Sequence, residues 1–234
     1  MAIKGIVFDK DGTLIDVDRT WLPIYRSILQ ELFATDEAGA EALMEKAGYN
    51  PATKRMRAGS VMAGGTTGQL VDIWWAGHSI ADRADMCRRL DHDYTALVEQ
   101  HLTPLMPLPP IMTALRADGY RLGLATNDIF VSATHHVRLI GITSHLEAII
   151  TSDRVNQAKP SGDMIRAFAA QTGLQPFEIA IVGDNSHDLE EAHNGGAGLG
   201  IGVLTGNATR DDIAHLADYV IDSVADLPRL MRSL

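Results

Sequence analysis

Short apolar runs alternate with amphipathic stretches of helical period from about residue 104 to the end of the chain. The apolar runs of this region are 120–126, 146–153, 177–184, 198–206 and 218–223, and the first apolar run of the chain, 3–8, belongs with them. The intervening helical stretches are 128–141, 160–173 and 186–196. Strands that alternate with helices of about 10–15 residues form βαβ units, in which the strands run parallel. This pattern therefore predicts an α/β fold with a mostly parallel sheet.

Residues 17–103 differ from the rest of the chain in the spacing of their apolar residues. Apolar residues at helical spacing occupy 18–34, 36–48, 67–77 and 79–102, and no convincing strand interrupts them. The segment 103–110 then ends the helical pattern with four prolines. We interpret 17–103 as an α-helical module inserted into a core formed by residues 1–16 and 104–234. The alternative is a single mixed domain with an irregular strand order.

Composition disfavours several classes of function. The 234 residues carry a formal net charge of −10, which disfavours nucleic acid and anionic membranes as main partners. No apolar run reaches the ~18–20 residues that span a bilayer, and the N-terminus lacks the features of a signal peptide. The single cysteine, Cys87, cannot form an internal disulfide, which is typical of a reducing compartment. We expect a cytoplasmic protein without a membrane or nucleic-acid partner, and the oligomeric state stays open.

Polar residues follow the carboxyl ends of four predicted strands. In chain order these are Asp9, Asp11, Gly12 and Thr13; then Thr126, Asn127 and Asp128; then Lys159; and finally Asp184, Asn185, Ser186, His187 and Asp188. Because the carboxyl ends of parallel strands lie along one edge of a sheet, we expect these groups to converge. The set contains several acids and one lysine.

The converging acids predict a divalent cation. Two carboxylates ~4 Å apart repel each other by roughly 4 kcal/mol at an effective dielectric constant of about 20, and Lys159 alone cannot offset several of them. The absence of a histidine or cysteine cluster from this set points to a hard ion with oxygen ligands. Mg²⁺ takes a few carboxylates together with waters and substrate phosphate, so Mg²⁺ is the predicted cofactor.

The spacing of Asp9 and Asp11 suits paired chemistry. Residues i and i+2 of an extended chain point to the same side, so one carboxylate could attack while the other handles a proton. Gly12 allows the backbone to turn sharply and to approach a ligand closely.

Four segments resemble, in this order, the motifs of the haloacid dehalogenase superfamily: DKDGT (9–13), ATN (125–127), AKP (158–160) and GDNSHD (183–188). The resemblance covers essentially the whole chain, because the helical insertion after the first motif looks like that superfamily's α-helical cap. The motif order and the segment GIGVLTG (200–206) resemble the phosphoglycolate-phosphatase-like branch in particular. The resemblance implies a Rossmann-like core with a helical cap and hydrolysis of a small phosphorylated metabolite.

The resemblance also implies a role for each matching residue. Asp9 would be the nucleophile that forms an aspartyl-phosphate, and Asp11 would protonate the leaving alcohol and later activate water. The phosphoryl group would be bound by residues of three motifs, namely Gly12, Thr13, Thr126, Asn127 and Lys159. Thr126 and Lys159 would also take part in catalysis. The metal ligands would be Asp9, Asp11 through its backbone carbonyl, Asp184 and the nearby Asp188.

Two positions depart from the family pattern. Lys10 stands where the family often has an apolar residue, and we expect its side chain to point away from Asp9 and Asp11. Gly162 stands where the family often has a second proline, and we expect it to loosen the start of the following helix. In the insertion, the basic residues Lys54, Arg55 and Arg57 are interpreted as a solvated helix face, with contact to an anionic substrate group as the alternative.

The sequence favours a Mg²⁺-dependent phosphatase of the phosphoglycolate type. A phosphomutase acting on a sugar phosphate and a catalytically silent binding protein on the same fold are the alternatives. A dehalogenase needs neither a second acid two residues after the nucleophile nor a metal, so Asp11 and Asp184 argue against it.

Overall fold

The computed structural model describes residues 2–234, which form eight β-strands and eleven α-helices. The strands are β1 (Gly5–Phe8), β2 (Tyr49–Asn50), β3 (Arg55–Met56), β4 (Arg121–Thr126), β5 (Ala148–Thr151), β6 (Ile179–Gly183), β7 (Leu199–Val203) and β8 (Tyr219–Ile221). The helices are α1 (Val17–Leu32), α2 (Glu37–Ala47), α3 (Val61–Gly64), α4 (Thr67–Trp74), α5 (Ile80–His101), α6 (Leu108–Ala117), α7 (Phe130–Leu139), α8 (Asp163–Thr172), α9 (Ser186–Gly195), α10 (Arg210–Ile213) and α11 (Leu227–Ser233). None of these helices combines the length and the apolar character that crossing a membrane requires.

A six-stranded parallel sheet, ordered β5-β4-β1-β6-β7-β8, forms the centre of the fold. Phe8, the last residue of β1, is in register with Leu124 of β4 and with Val182 of β6. The residues that follow these three strands therefore emerge side by side at one edge of the sheet. The predicted α/β fold with a mostly parallel, Rossmann-like sheet is confirmed.

Helices cover both faces of the sheet. Ile6 and Phe8 of β1 pack into the apolar cluster that contains residues of α6, α7 and α11, whereas Val7 packs against α8 and α9. This division follows from the alternation of side chains along a strand. Because both faces are buried, β1 is a continuous apolar run in the sequence rather than an alternating one.

The segment between β1 and β4 contains a second apolar cluster of its own. It is built from buried residues of α1, α2, α4 and α5, among them Trp21, Leu29, Met44 and Leu90. The four helices predicted here are present within a few residues of their expected ends. The expectation that no strand interrupts them is wrong, because β2 and β3 form an antiparallel hairpin. Two-residue strands are too short to show a periodic pattern. The division into a core of 1–16 and 104–234 and a cap of 17–103 stays a proposal, which the separate cluster supports.

A helix begins within the proline-rich segment 103–110. The helical pattern before it stops at His101, as expected, but α6 starts at Leu108 and carries Pro109 and Pro110 in its first turn. Proline is tolerated there because the first N–H groups of a helix have no partner within the helix. These prolines predicted only the end of the preceding helix, so α6 was not expected.

The start of α8 is anchored rather than loosened by Gly162. The backbone N–H of Gly162 donates to Glu191 Oε2 at 2.6 Å, and the N–H of Met164 donates to Glu191 Oε1 at 2.8 Å. Gly162 has φ +86°, and a Cβ atom added to it would lie 2.4 Å from the backbone of Asn194. Only glycine fits this close approach of two backbones. The expectation of a loose helix start is therefore wrong.

Candidate active site

Lys159 joins two carboxylates at the carboxyl edge of the sheet. Its Nζ lies 2.7 Å from Asp9 Oδ1 and 2.7 Å from Asp188 Oδ1, and the three side chains are buried. Asp9 extends the ladder of β1, because its N–H donates to Val182 O of β6 at 2.8 Å. Buried ion pairs of this kind persist only where the geometry is good and the remaining polar atoms are bonded. Three predicted site residues from distant parts of the chain thus form one hydrogen-bonded group.

The buried acids carry more negative charge than Lys159 offsets. Burial and, after it, the charge of Asp188 raise the pKa of Asp9 to about 7 against the opposing effect of Lys159. Burial also raises the pKa of Asp184 well above its usual range, with Asp188 and Asp9 as the next causes. Burial lowers the pKa of Lys159, but Asp188 and Asp9 outweigh it, so this lysine stays charged. The group is short of positive charge.

Three of the carboxylates fit a hard divalent cation. Asp9, Asp184 and Asp188 each offer one oxygen, and these oxygens lie within 4.8 Å of one another. Thr13 Oγ1 donates to Asp184 Oδ1 at 3.2 Å. An all-oxygen donor set with surplus negative charge is what Mg²⁺ takes in proteins. Asp11 is the fourth predicted ligand, through its backbone carbonyl. Its carboxylate lies outside this group, and the carbonyl stays a candidate.

Gly12 lets the first motif pass closely over Asp184. Its φ is +82°, and a Cβ atom added there would lie 2.4 Å from Asp184 Oδ2. The carbonyl of Gly12 accepts a hydrogen bond from Thr205 Oγ1 at 2.6 Å. The sharp turn expected at this glycine is therefore present, and it brings the loop after β1 against the candidate metal site.

Thr126 and Asn127 lie at the end of β4, as predicted. Thr126 is buried, and its Oγ1 accepts from the N–H of Asp128 at 3.2 Å. Asn127 Oδ1 accepts from the backbone N–H of Lys159 at 3.0 Å, while its Nδ2 donates to Gly64 O at 2.8 Å. Asn127 thus orients the lysine segment and also contacts the inserted helical segment.

Lys10 points toward Asp11, so the expectation that it points away is wrong. Its Nζ lies 2.5 Å from Asp11 Oδ2 and 3.2 Å from Asp128 Oδ2, and the side chain is completely buried. The reason is local: the chain leaves the extended conformation here, and the N–H groups of Leu14 and Ile15 both bond back to Lys10 O. The alternation of side chains holds only as long as the strand does.

A sequence profile described as a haloacid dehalogenase-like hydrolase matches residues 6–200, which include all four motifs. The chain belongs to the haloacid dehalogenase-like hydrolase family. It is 24% identical over 226 residues to the pyrophosphatase PpaX of Bacillus velezensis, covering 96% of this chain and 94% of that protein. It is 28% identical over 239 residues to a phosphoglycolate phosphatase of Yersinia pestis, covering 94% of this chain and 92% of that protein.

Solved structures agree with this assignment. The fold is similar to that of a hydrolase from Pseudomonas syringae, with a TM-score of 0.72 and 18% sequence identity over 99% of both chains. The predicted family, its resemblance to phosphoglycolate phosphatases and the predicted hydrolase class are confirmed.

In this haloacid dehalogenase-like hydrolase, the C-terminal end of α3, in the inserted segment, covers the site. Ala63, Gly64 and Gly65 line a small pocket together with Asp9 and Thr126. Gly64 lies so close to His187 that an added Cβ atom would be 2.6 Å from His187 Cε1. The inserted segment therefore covers the carboxyl edge of the sheet at this point.

Arg55 links the inserted segment to the loop after β7, while its side chain stays exposed, as expected of a solvated face. Its guanidinium donates to Gly206 O at 3.0 Å and to Asn207 Oδ1 at 2.7 Å, and its Nε donates to Asp18 Oδ2 at 2.8 Å. The loop that contains Gly206 passes over the candidate metal site. The sequence gives no signal for this contact, since basic side chains of a surface segment are usually solvated.

Two further site residues were missed. Trp21 of α1 donates from its indole N–H to Asp11 Oδ1, and it looked like an ordinary apolar position of a helix. His136 of α7 lies with Nδ1 3.3 Å from Asp128 Oδ2. A signal existed for Lys10, because a charged residue directly after an apolar strand is costly unless it is paired.

Proposed function

We propose that this chain is a Mg²⁺-dependent phosphatase that hydrolyses a small phosphomonoester through an aspartyl-phosphate on Asp9. The observation that carries the proposal is the group formed by Asp9, Lys159 and Asp188, with 2.7 Å contacts at the edge of the sheet. One Asp9 oxygen is held by Lys159, which leaves the other to attack phosphorus. The buried acids beside it supply the ligands that a divalent cation needs.

Asp9 and Lys159 prepare the nucleophilic attack. The lysine fixes the orientation of the carboxylate and offsets part of the charge that phosphate brings into the site. Thr126, Asn127 and the backbone of the loop at Gly12 and Thr13 surround the position of the phosphoryl group. Phosphoryl transfer depends mainly on positioning and on electrostatic stabilisation, and these residues provide both.

Asp9, Asp184 and Asp188 would hold Mg²⁺, with the backbone carbonyl of Asp11 as a further ligand. A cation bound there supplies positive charge next to the transferring phosphoryl group. Thr13 orients Asp184 through its hydroxyl hydrogen bond. The buried carboxylates repel one another, so the site favours a bound cation that offsets this repulsion.

Asp11 handles the proton in both halves of the reaction. It protonates the leaving alkoxide when the Asp9–phosphate bond forms and the ester bond breaks. It then takes a proton from the water that attacks the phosphoenzyme, which releases inorganic phosphate and restores Asp9. The two steps balance, because the proton given to the alcohol is recovered from water.

The substrate is proposed to be a small, polar phosphomonoester of the phosphoglycolate type. The cap loop at Gly64 and Gly65 leaves a narrow space above Asp9, and the adjoining cleft is lined by polar groups, namely Ser60, Gln69, Asn127, Asn185, Ser186 and His187. A compact, hydrophilic leaving group fits such a lining better than a bulky apolar one. The phosphoglycolate phosphatase and pyrophosphatase relatives make phosphoglycolate and pyrophosphate the first compounds to test.

A phosphate-release screen tests the proposal. The purified protein is incubated with Mg²⁺ and with phosphoglycolate, pyrophosphate, hexose phosphates and para-nitrophenyl phosphate, and Asp9→Asn serves as the inactive control. We expect inorganic phosphate from the wild type only. Phosphate retained on a second sugar hydroxyl would indicate a phosphomutase. No turnover of any compound, together with a measurable affinity for one of them, would indicate a binding protein.

A further inference from the structure

Both oxygens of the Asp11 carboxylate are engaged by donors from different parts of the chain. Lys10 Nζ lies 2.5 Å from Oδ2, and the indole N–H of Trp21 donates to Oδ1. Lys10 follows β1 in the sheet, whereas Trp21 belongs to α1 in the inserted segment. Because each carboxylate oxygen accepts a hydrogen bond from a different donor, the carboxylate has little freedom to rotate.

Lys10 is itself held in place. Its side chain is completely buried, and its ammonium lies 3.2 Å from Asp128 Oδ2 and 5.2 Å from the centre of the Trp21 ring. Asp128 is in turn 3.3 Å from His136 Nδ1. A buried lysine persists only with such partners, because an unpaired buried charge is costly. The ammonium is thus a fixed donor rather than a mobile one.

Trp21 is fixed by aromatic packing. Its ring stacks on Tyr25 at 5.8 Å, and it meets Tyr94 edge-on at 5.5 Å and His136 edge-on at 5.8 Å. Contacts of this geometry favour one ring orientation over others. The packing of these rings therefore favours the orientation in which the indole N–H points toward Asp11.

We infer that Lys10 and Trp21 are positioning residues that hold the Asp11 carboxylate at the orientation from which it exchanges a proton with the leaving group. The inference rests on the proposed phosphatase function. Neither residue belongs to the group of Asp9, Lys159 and Asp188 that binds phosphate and metal. Proton transfer needs a heavy-atom separation of about 2.6–3.2 Å in the productive pose, so the placement of Asp11 controls this step.

A leaving-group comparison separates this role from a structural one. Para-nitrophenolate leaves without protonation, whereas the alkoxide of glycerol phosphate needs a proton from Asp11. The constant kcat/KM reports the steps up to formation of the phosphoenzyme, so it isolates the acid step from the later hydrolysis. We compare the wild type with Lys10→Met and Trp21→Phe on both esters at saturating Mg²⁺. Trp21→Phe keeps an aromatic ring and removes the N–H donor together with part of the ring volume, and Trp74→Phe shares that loss of volume.

Trp74→Phe provides a matched control. Trp74 is a similarly buried tryptophan of the same aromatic cluster, but its indole N–H donates to Leu43 O at 3.0 Å, away from the site. We expect Lys10→Met and Trp21→Phe to lower kcat/KM for glycerol phosphate on the order of 10- to 100-fold. For para-nitrophenyl phosphate we expect a change below about threefold. The control should change neither.

An equal loss on both esters, or no loss on either, overturns the inference. If Lys10→Met does not fold, as judged by its thermal transition, Trp21→Phe decides the question alone. If the wild type releases phosphate from neither ester and from no compound of the phosphate-release screen, the proposed phosphatase function fails, and the inference fails with it. If the wild type is active on both esters and the variants lose kcat/KM equally on both, the phosphatase function is supported and only the positioning role is overturned.

Discussion

The guanidinium of Arg55 donates a hydrogen bond to the backbone carbonyl of Gly206 across 3.0 Å, and so ties the cap hairpin to the loop after β7. Gly206 lies directly against Asp184, where an added Cβ atom would be 1.7 Å from Asp184 Oδ2. Gly206 is thus the one residue between Arg55 and the candidate metal ligand Asp184. This arrangement connects the seating of the cap with the shape of the metal site.

Replacing Arg55 should weaken the metal site more than it weakens the fold. The side chain is 54% exposed, and an exposed ion pair contributes only about 0–1 kcal/mol to stability. We expect Arg55→Ala to leave the thermal transition within a few degrees of the wild type and to raise the Mg²⁺ concentration for half-maximal activity by roughly three- to tenfold. The measurement is a Mg²⁺ titration of phosphate release.

Arg57 offers the matched control for this prediction. It lies two residues further along the chain and is exposed, and its guanidinium donates to Glu45 O at 3.4 Å within the inserted segment. Arg57→Ala should leave the Mg²⁺ titration unchanged. Equal shifts in the two variants would show that general basic charge on the cap, and not the contact with Gly206, is responsible.

Metal removal should abolish activity and lower stability. A chelator should eliminate phosphate release, and added Mg²⁺ should restore it, whereas Ca²⁺ should substitute poorly because it prefers a higher and looser coordination. A bound ion at about 100 times its dissociation constant stabilises the fold by about 2.7 kcal/mol, so the thermal transition should rise with Mg²⁺. Full activity in excess chelator would contradict the metal assignment.

Asp184→Asn should have opposite effects on the metal-free and the metal-loaded protein. Without metal the variant should melt at a higher temperature than the wild type, because burial and the charges of Asp188 and Asp9 disfavour an ionised carboxylate at this position and the neutral amide avoids that cost. The increase of the melting temperature with Mg²⁺ should disappear. Calorimetry with and without Mg²⁺ measures both effects. A variant that melts below the wild type in chelator would show that the charge of Asp184 is compensated within the protein.

Replacing Asp9 and replacing Asp11 should stop the reaction at different steps. Asp9→Asn should yield no phosphoenzyme with any ester, because the nucleophile is gone. Asp11→Asn should still release para-nitrophenol in a first turnover, since that leaving group needs little protonation, and should then stall as the phosphoenzyme. Mass spectrometry of the quenched protein distinguishes the two. Near-normal turnover by Asp9→Asn would rule out the covalent mechanism.

Glu191 should contribute to stability and not directly to chemistry. Its buried carboxylate accepts the backbone N–H groups of Gly162, Met164 and Ile165 at the start of α8. Glu191→Ala should lower the free energy of unfolding by about 1–3 kcal/mol, because buried donors lose their acceptor. Urea denaturation measures this. Glu190→Ala, at the neighbouring partly exposed position, should stay within about 0.5 kcal/mol of the wild type, and a similar loss there would argue against a specific role of Glu191.

The sequence by itself determined the sheet, its strands and the convergence of the motif residues. Apolar period is a local property, and the rule that parallel strands end at one edge then brings Asp9, Thr126, Lys159 and Asp184 together without further information. Their chemistry follows from charge, because several acids with one lysine need a cation. Two features could not be predicted in this way: the short hairpin of β2 and β3, and the proline-containing start of α6. Neither segment shows a hydrophobic periodicity in the sequence.

Tertiary structure alone decided how the first motif is held. Lys10 points toward Asp11 because the chain curls after β1, and Trp21 reaches the same carboxylate because α1 packs onto the core there. Arg55 meets Gly206 across 151 residues of sequence, and no local pattern encodes a contact between two segments so far apart. Such contacts depend on how the inserted segment docks, and docking is set by the packing of whole surfaces and not by the period of any one segment.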